Sequence, residues 1–198
     1  MHHFWAAGIA AVTFAALVTQ FTVSARAMGH PGALAVVWSM LGYFTILTNL
    51  LVFFSFAAMA LGRAWSTGWI GGLTLWIAVV GIVYHLLLAG LWAPVGLAWW
   101  ADQGLHTAVP LLVLVYWSRW GTRTALPWHM ALIWLGWPVA YCAYAMARGA
   151  LTGFYPYPFL DVAALGAVRV AMNIGALVLG FILGGGLLVG LSRLRRAD

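Results

Sequence analysis

Residues 69–92 of this chain read WIGGLTLWIAVVGIVYHLLLAGLW. The run contains no Asp, Glu, Lys or Arg, and it exceeds the roughly 20 apolar residues that an α-helix needs to cross the hydrocarbon layer. Lipid offers no hydrogen-bond partner to exposed backbone groups, so a segment of this kind is stable there as a helix. The stretch therefore predicts a membrane-spanning helix that carries a histidine, His85, inside it.

The composition of the whole chain extends this prediction to a multi-pass membrane protein. Of its 198 residues, 65% are hydrophobic and 6% are charged, and the mean hydropathy is +1.00. A soluble domain is about a quarter charged. The net charge of +6 is spread too thinly for a nucleic-acid-binding face, and the lone Cys142 has no partner for an intrachain disulfide.

Six apolar stretches are long enough to be spans, and together they fill nearly the whole chain. They predict an all-α fold, a six-transmembrane-helix bundle that forms one domain over residues 1–198. The stretches are 4–24, 33–61, 69–92, 99–117, 128–146 and 162–191. We interpret the first as a retained helix rather than a signal peptide, because it is longer than the usual apolar region of about 7–15 residues.

The arginines orient these helices, because cytoplasmic loops carry an excess of basic residues. One side of the membrane has only Arg26 and Arg148. The arginines on the other side are Arg63, Arg119, Arg123, Arg193, Arg195 and Arg196. Both termini are therefore predicted to be cytoplasmic.

Three ionisable side chains, His85, His106 and Arg169, lie inside the predicted spans. Such groups are costly in hydrocarbon and usually face a protein interior or a wet cavity. Each is seven residues from the outer end of its span, which places all three about 10 Å below the outer surface at a rise of about 1.5 Å per residue. We expect them to share one outward-facing polar pocket.

Other polar side chains follow helical spacing on two of the spans. Thr45, Thr48 and Asn49 stand at positions i, i+3 and i+4, and each therefore lies on the same helix face. Arg169 and Asn173 form a second stripe at i and i+4. The ordinary alternative for a buried threonine is a hydrogen bond to a carbonyl of its own helix.

The run 102–110, DQGLHTAVP, is the most informative local arrangement. Asp102 lies one turn before His106, so it is placed to accept a proton from one imidazole nitrogen and leave the other as a base. Pro110 lacks the N–H that would bond the carbonyl of His106. We expect His106 to be a general base that activates a hydroxyl nucleophile, with Thr45 the first candidate and Thr48 the second.

The remaining polar groups have both supporting and structural interpretations. Arg169 or Asn49 would donate to the oxyanion that forms during acyl transfer. Alternatively, Arg169 pairs with Asp161 or Asp102 and locks the helix ends together. His85 is either part of the site or a hydrogen-bonding interior residue.

Three runs resemble those of a known family: 44–49 (FTILTN), 104–110 (GLHTAVP) and 157–161 (YPFLD). Over most of its length the chain resembles the six-helix proteobacterial integral membrane proteins. It is more distantly similar to the androgen-induced and androgen-dependent membrane proteins of animals. This resemblance implies a multi-pass protein of the bacterial inner (plasma) membrane. It also implies an intramembrane threonine hydrolase that cleaves fatty-acid esters of hydroxy fatty acids, with its two catalytic residues at Thr45 and His106.

Two other functions remain open at this point. The same cavity would serve as a non-catalytic binding or transport site for a small polar or amphipathic ligand. His85 and His106 would alternatively be the axial ligands of a haem. The spacing of His, Cys and Asp matches no metal site and no phosphate-binding loop is present, so the sequence predicts no metal and no cofactor. The expected partners are membrane lipids and a lipid-ester substrate, with no nucleic acid.

Overall fold

A computed structural model describes residues 2–121 and 125–194, and all regular secondary structure in those residues is helical. The all-α prediction is therefore confirmed for the described part of the chain. The chain divides into two compact units, Met1–Thr124 and Ala125–Asp198. Each unit is described by itself below, and the single domain over 1–198 stays a prediction.

The described residues of the first unit, 2–121, form six α-helices, and turns of a different pitch extend several of them. The helices are α1 (His2–Ala27), α2 (Ala33–Met40), α3 (Phe44–Ala60), α4 (Thr67–Val83), α5 (Leu97–Gln103) and α6 (Val109–Tyr116). A π turn and a 3-10 turn continue α4, a π turn joins α5 to α6, and another π turn follows α6. These turns are Tyr84–Leu88, Ala89–Leu91, Gly104–Ala108 and Trp117–Gly121.

The core of this unit brings α1, α2 and α3 against the π turn between α5 and α6. Apolar side chains from all four segments pack there and are almost fully buried. They are Ala16, Leu17, Val36, Met40, Ile46 and Leu105. Between helices in a membrane such contacts stabilise the fold through close van der Waals packing, because lipid is as apolar as these side chains. The packing holds residues 104–108 beside the first turns of α3, which is the position of the candidate site.

Among the described residues, four helical stretches are long and apolar enough to cross a membrane, and a fifth is added if α2 and α3 count as one broken span. The four are His2–Ala27, Thr67–Leu91, Met130–Thr152 and Ala167–Leu194. The predicted span 99–117 is helical, within the run from Leu97 to Gly121. It is not among the four because Asp102, Gln103 and His106 lower its mean hydropathy.

The predicted span 33–61 is wrong as a single helix, because α2 and α3 are bent by 101°. Two tight turns cause the break: the N–H of Gly42 bonds the carbonyl of Ser39, and the N–H of Tyr43 bonds that of Met40. Tyr43 then has extended backbone, with φ −99° and ψ 132°. Thr45 is consequently the second residue of a new helix and does not lie in the middle of a long one.

In the second unit, the described stretch 125–194 forms four α-helices and one 3-10 turn. They are α7 (Met130–Ile133), α8 (Gly136–Thr152), the turn Pro158–Leu160, α9 (Val162–Leu165) and α10 (Ala167–Leu194). The predicted span 162–191 is wrong at its start, because Gly166 adopts φ +76° and separates α9 from α10. A left-handed φ of this kind favours glycine, which has no Cβ. Three arginines used to predict the orientation, Arg123, Arg195 and Arg196, lie outside the described residues.

Candidate functional site

Two π turns of the first unit carry the two histidines that the sequence singles out. In one, the N–H of Ala89 bonds the carbonyl of Tyr84, five residues back; in the other, the N–H of Val109 bonds that of Gly104. The second turn follows from Pro110, which has no N–H to give to the carbonyl of His106. Single π turns inside α-helices widen the helix locally and occur often at functional sites.

The two turns are brought together by a close approach at Gly81. A Cβ added there would lie 3.1 Å from the carbonyl oxygen of His106 and 3.3 Å from Cβ of Pro110. These distances are shorter than ordinary van der Waals contacts, so a side chain at this position would require the neighbouring run to shift by a few tenths of an ångström.

Asp102 and His106 form the centre of the site. Nδ1 of His106 lies 3.0 Å from the backbone carbonyl oxygen of Asp102 and 3.3 Å from its carboxylate oxygen Oδ1. A carbonyl oxygen can only accept, so Nδ1 carries the proton of the neutral ring and donates it to the backbone carbonyl, while Oδ1 has no hydrogen-bond partner among the described residues. Nε2 of His106 is then the basic nitrogen, and it makes no hydrogen bond to any residue that the structure describes. Asp102 and His106 are therefore in contact, as expected, but the hydrogen bond from Nδ1 goes to the backbone carbonyl of Asp102 and not to its carboxylate.

The carboxylate of Asp102 is buried, with 1% of its side chain exposed, and it is surrounded by donors. Its Oδ2 accepts a hydrogen bond of 2.6 Å from the hydroxyl of Tyr84 and one of 3.2 Å from Nε2 of Gln103. A buried carboxylate is stable only when donors or a counter-charge replace the water it has lost. The hydroxyl of Tyr84 in turn accepts from the indole N–H of Trp92 at 3.3 Å.

A second chain of hydrogen bonds reaches Asp102 from the exposed His85. The hydroxyl of Thr107 donates to Oε1 of Gln103 at 2.9 Å, and Nε2 of His85 lies 3.0 Å from the same hydroxyl oxygen. Because Thr107 has already given its one proton, His85 must be the donor. His85 is therefore a hydrogen-bonding residue that is exposed at the surface of the unit, rather than an interior residue.

The polar face of α3 is buried next to the π turn of His106. Thr45 is 8% exposed, while Thr48 and Asn49 are fully buried. The amide nitrogen of Asn49 donates to the carbonyl of Thr45 at 2.8 Å and lies 3.5 Å from the carbonyl of Leu105. Asn49 thus connects the first turn of α3 to the residue that precedes His106.

The other two predicted site residues belong to the second unit. Arg169 is exposed in the first turn of α10, so its predicted depth of seven residues into the helix is wrong. The amide of Asn173 donates to the carbonyl of Phe159 at 2.9 Å. Asp161 accepts from the N–H of Ala164 at 3.1 Å and caps α9, which explains this carboxylate without Arg169.

Sequence reasoning missed Tyr84, Gln103 and Thr107 as members of the site. Gln103 and Thr107 are four apart, which is a signal that one helix face carries both. The sequence around Tyr84 did not indicate a role in the site, because a tyrosine in an apolar helix ordinarily only packs against its neighbours. Among the described residues, no three His, Cys, Asp or Glu side chains come together as a metal site. No protein-family model, curated protein or solved structure matches this chain.

Proposed function

We propose that this chain is an integral membrane hydrolase that cleaves a fatty-acyl ester, with Thr45 as nucleophile and His106 as general base. One observation carries the proposal: Asp102 holds Nδ1 of His106, which leaves Nε2 as a base without a hydrogen bond to the described residues. A threonine hydroxyl is too weakly acidic to attack an ester unaided. A histidine with one nitrogen anchored and the other available is the kind of base that it needs.

In the proposed reaction, Oγ1 of Thr45 attacks the ester carbonyl carbon while Nε2 of His106 takes the hydroxyl proton. The tetrahedral intermediate collapses by breaking the bond to the leaving alcohol, which receives that proton from His106. A water molecule then attacks the acyl-threonine, again giving a proton to Nε2. The fatty acid is released and the proton returns to Oγ1 of Thr45.

The surroundings of Thr45 support this role electrostatically. Thr45 is the second residue of α3, and the positive end of a helix dipole stabilises negative charge within its first turn. The hydrogen bonds of Asn49 to the carbonyls of Thr45 and Leu105 favour a fixed distance between α3 and the turn of His106. Thr48 as an alternative nucleophile and Arg169 as an oxyanion donor stay predictions.

We place the chain in the bacterial inner membrane as a six-span protein with both termini cytoplasmic. The run from Leu97 to Gly121 would complete the six spans together with the four long stretches and the bent pair of α2 and α3, and its Asp102 is buried while Leu111 and Val115 are exposed. A helix of this kind keeps its polar face inside the protein and its apolar face toward lipid. Fusions of a cytoplasmic fluorescent reporter and a periplasmic phosphatase to the C-terminus test the orientation.

The test of the enzyme uses a fluorophosphonate probe, whose phosphorus is attacked by an activated hydroxyl with loss of fluoride. The purified full chain should be labelled covalently, and Thr45→Ala and His106→Ala should abolish the labelling. Thr74→Ala is the matched control, because Thr74 is fully buried and its hydroxyl bonds the carbonyl of Ile70 at 2.7 Å in its own helix. Labelling that survives in Thr45→Ala and is mapped to another residue refutes the assignment.

A second candidate function, ligand binding or transport without chemistry, is favoured by Asn49. Its side-chain oxygen is buried and has no hydrogen-bond partner among the described residues. Such an acceptor stabilises a bound group that brings a donor, for example the hydroxyl of an amphipathic ligand. Binding of a monoacylglycerol by the purified protein with no product after one turnover would favour this function over the hydrolase.

A further inference from the structure

The tyrosine beside the two central residues has a geometry that packing alone does not require. Its ring lies on the imidazole of His106, with 3.9 Å between ring centroids and 14° between the planes. Its hydroxyl donates to Asp102 over 2.6 Å, a length typical of an O–H bond to an ionised carboxylate. Tyr84 is therefore in contact with both members of the Asp102–His106 pair.

The two contacts restrict the pair in different ways. The hydroxyl occupies Oδ2 of Asp102, so Oδ1 is the oxygen left to face Nδ1 of His106. The parallel ring prevents the imidazole from turning about its bond to Cβ, because rotation would drive its edge into the phenol. The face of a phenol ring also attracts a cation, so the stack stabilises the imidazolium more than the neutral ring.

The fold places Tyr84 for these contacts. It is the first residue of the π turn that continues α4, and it lies one turn after Gly81, where α4 comes within contact distance of His106 and Pro110. The indole N–H of Trp92 bonds the hydroxyl oxygen from the other side at 3.3 Å, which leaves the hydroxyl proton for Asp102. Tyr84 itself is 5% exposed, so its position is set by packing as well as by these bonds.

We infer that Tyr84 is a positioning residue, whose hydroxyl orients Asp102 and whose ring holds His106 with Nδ1 toward Asp102 and Nε2 toward the substrate. The inference rests on the proposed hydrolase for its effect on rate. The predicted orientation of His106 does not depend on that function, because the position of the proton on the imidazole ring can be measured without any reaction. The two parts are measured separately.

The experiment compares Tyr84→Leu, which removes ring and hydroxyl, with Tyr84→Phe, which removes the hydroxyl alone. Nitrogen-15 NMR of histidine-labelled full chain in nanodiscs reports which imidazole nitrogen carries the proton, and His106→Gln assigns the signal. The wild type and Tyr84→Phe should show the Nδ1–H form, and Tyr84→Leu should show both forms. Fluorophosphonate labelling should fall about tenfold in Tyr84→Phe and about 100-fold in Tyr84→Leu, because misplacement of a catalytic group by about 1 Å has an effect of that size.

Tyr116→Leu is the matched control, since Tyr116 is buried to the same degree and packs edge-on against Phe56. It should leave both the proton position and the labelling rate unchanged. A single Nδ1–H form in Tyr84→Leu, or the same loss of that form in Tyr116→Leu, overturns the inference. If Tyr84→Leu does not fold, Tyr84→Met replaces it with the same expected result. If the wild type is not labelled at all, the hydrolase fails, and the NMR result alone still decides the role of Tyr84.

Discussion

Two substitutions of Asp102 distinguish the contribution of its carboxylate to the stability of the fold from its proposed effect on His106 as a base. Asp102→Ala leaves the buried hydroxyl of Tyr84 and the half-buried amide of Gln103 without their acceptor. Each unpartnered donor costs about 1–3 kcal/mol, with the longer bond at the lower end, and relief of the buried charge offsets part of the loss. We expect the free energy of unfolding to fall by about 2–4 kcal/mol.

Asp102→Asn should cost less than about 1 kcal/mol, because one amide oxygen replaces Oδ2 and still accepts both donors while a buried charge disappears. The amide nitrogen then takes the place of Oδ1, 3.3 Å from Nδ1 of His106. Nδ1 keeps its hydrogen bond to the backbone carbonyl of residue 102, so Nε2 stays the basic nitrogen, but the negative charge beside the ring is lost. The imidazolium that forms when Nε2 takes a proton then lacks its counter-charge, so the labelling rate should fall about 100-fold, the lower end of what a general base contributes.

The assay for stability is unfolding of the purified chain by a titration of SDS into mixed micelles, followed by far-UV circular dichroism. The assay for the base is the time course of fluorophosphonate labelling at neutral pH. Asp102→Asn should be almost as stable as the wild type yet poorly labelled, whereas Asp102→Ala should be impaired in both respects. A stable Asp102→Asn that is labelled at the wild-type rate refutes the proposed role of the carboxylate in catalysis. An Asp102→Ala that is as stable as the wild type refutes the claim that the hydrogen bonds of Tyr84 and Gln103 to this carboxylate stabilise the fold.

Two further predictions concern packing and a buried backbone donor. Gly81→Ala adds a Cβ 3.1 Å from the carbonyl oxygen of His106 and should destabilise the chain by about 1–3 kcal/mol in the SDS titration. Gly8→Ala is the control and should be neutral or stabilising, because no atom outside its own helix lies within 4 Å of the added Cβ. Equal effects at the two positions would contradict the close approach at Gly81. Ser192→Ala removes the hydroxyl that accepts the buried N–H of Leu126 at 3.1 Å and should cost about 1–3 kcal/mol in the same measurement; an unchanged midpoint would mean that another group satisfies that N–H.

Hydropathy predicted the membrane class and most helix positions, because a span is defined by the average of about 20 residues. Hydropathy did not predict the helix boundaries that depend on the backbone conformation of single residues. The break between α2 and α3 depends on two short-range hydrogen bonds of Gly42 and Tyr43, in a stretch that is apolar throughout. The late start of α10 depends on the φ of Gly166, one glycine among 23 in the chain.

In the candidate site, too, some contacts could be predicted from the sequence and others could not. The i, i+4 relation of Asp102 and His106 was readable from spacing, and the structure confirms their contact. The contribution of Tyr84 was not readable, since it depends on where α4 meets the run of His106 in space. Residue spacing within one helix predicts which side chains share a face of that helix. The distance between two helices depends on small residues such as Gly81 and on side-chain packing, which residue spacing does not predict.

The hydrogen bonds around Asp102 also explain how the proposed site would handle charge. Donors from Tyr84 and Gln103 let the carboxylate remain ionised in a buried position, where no arginine of the described residues pairs with it. When His106 takes the proton of Thr45, the imidazolium forms 3.3 Å from that carboxylate, and a low local dielectric strengthens their attraction. The negative charge moves to the substrate oxygen, near the positive end of α3. The net charge of the site does not change, so donors and dipoles that are already in place can stabilise the reaction and no ion has to enter the membrane.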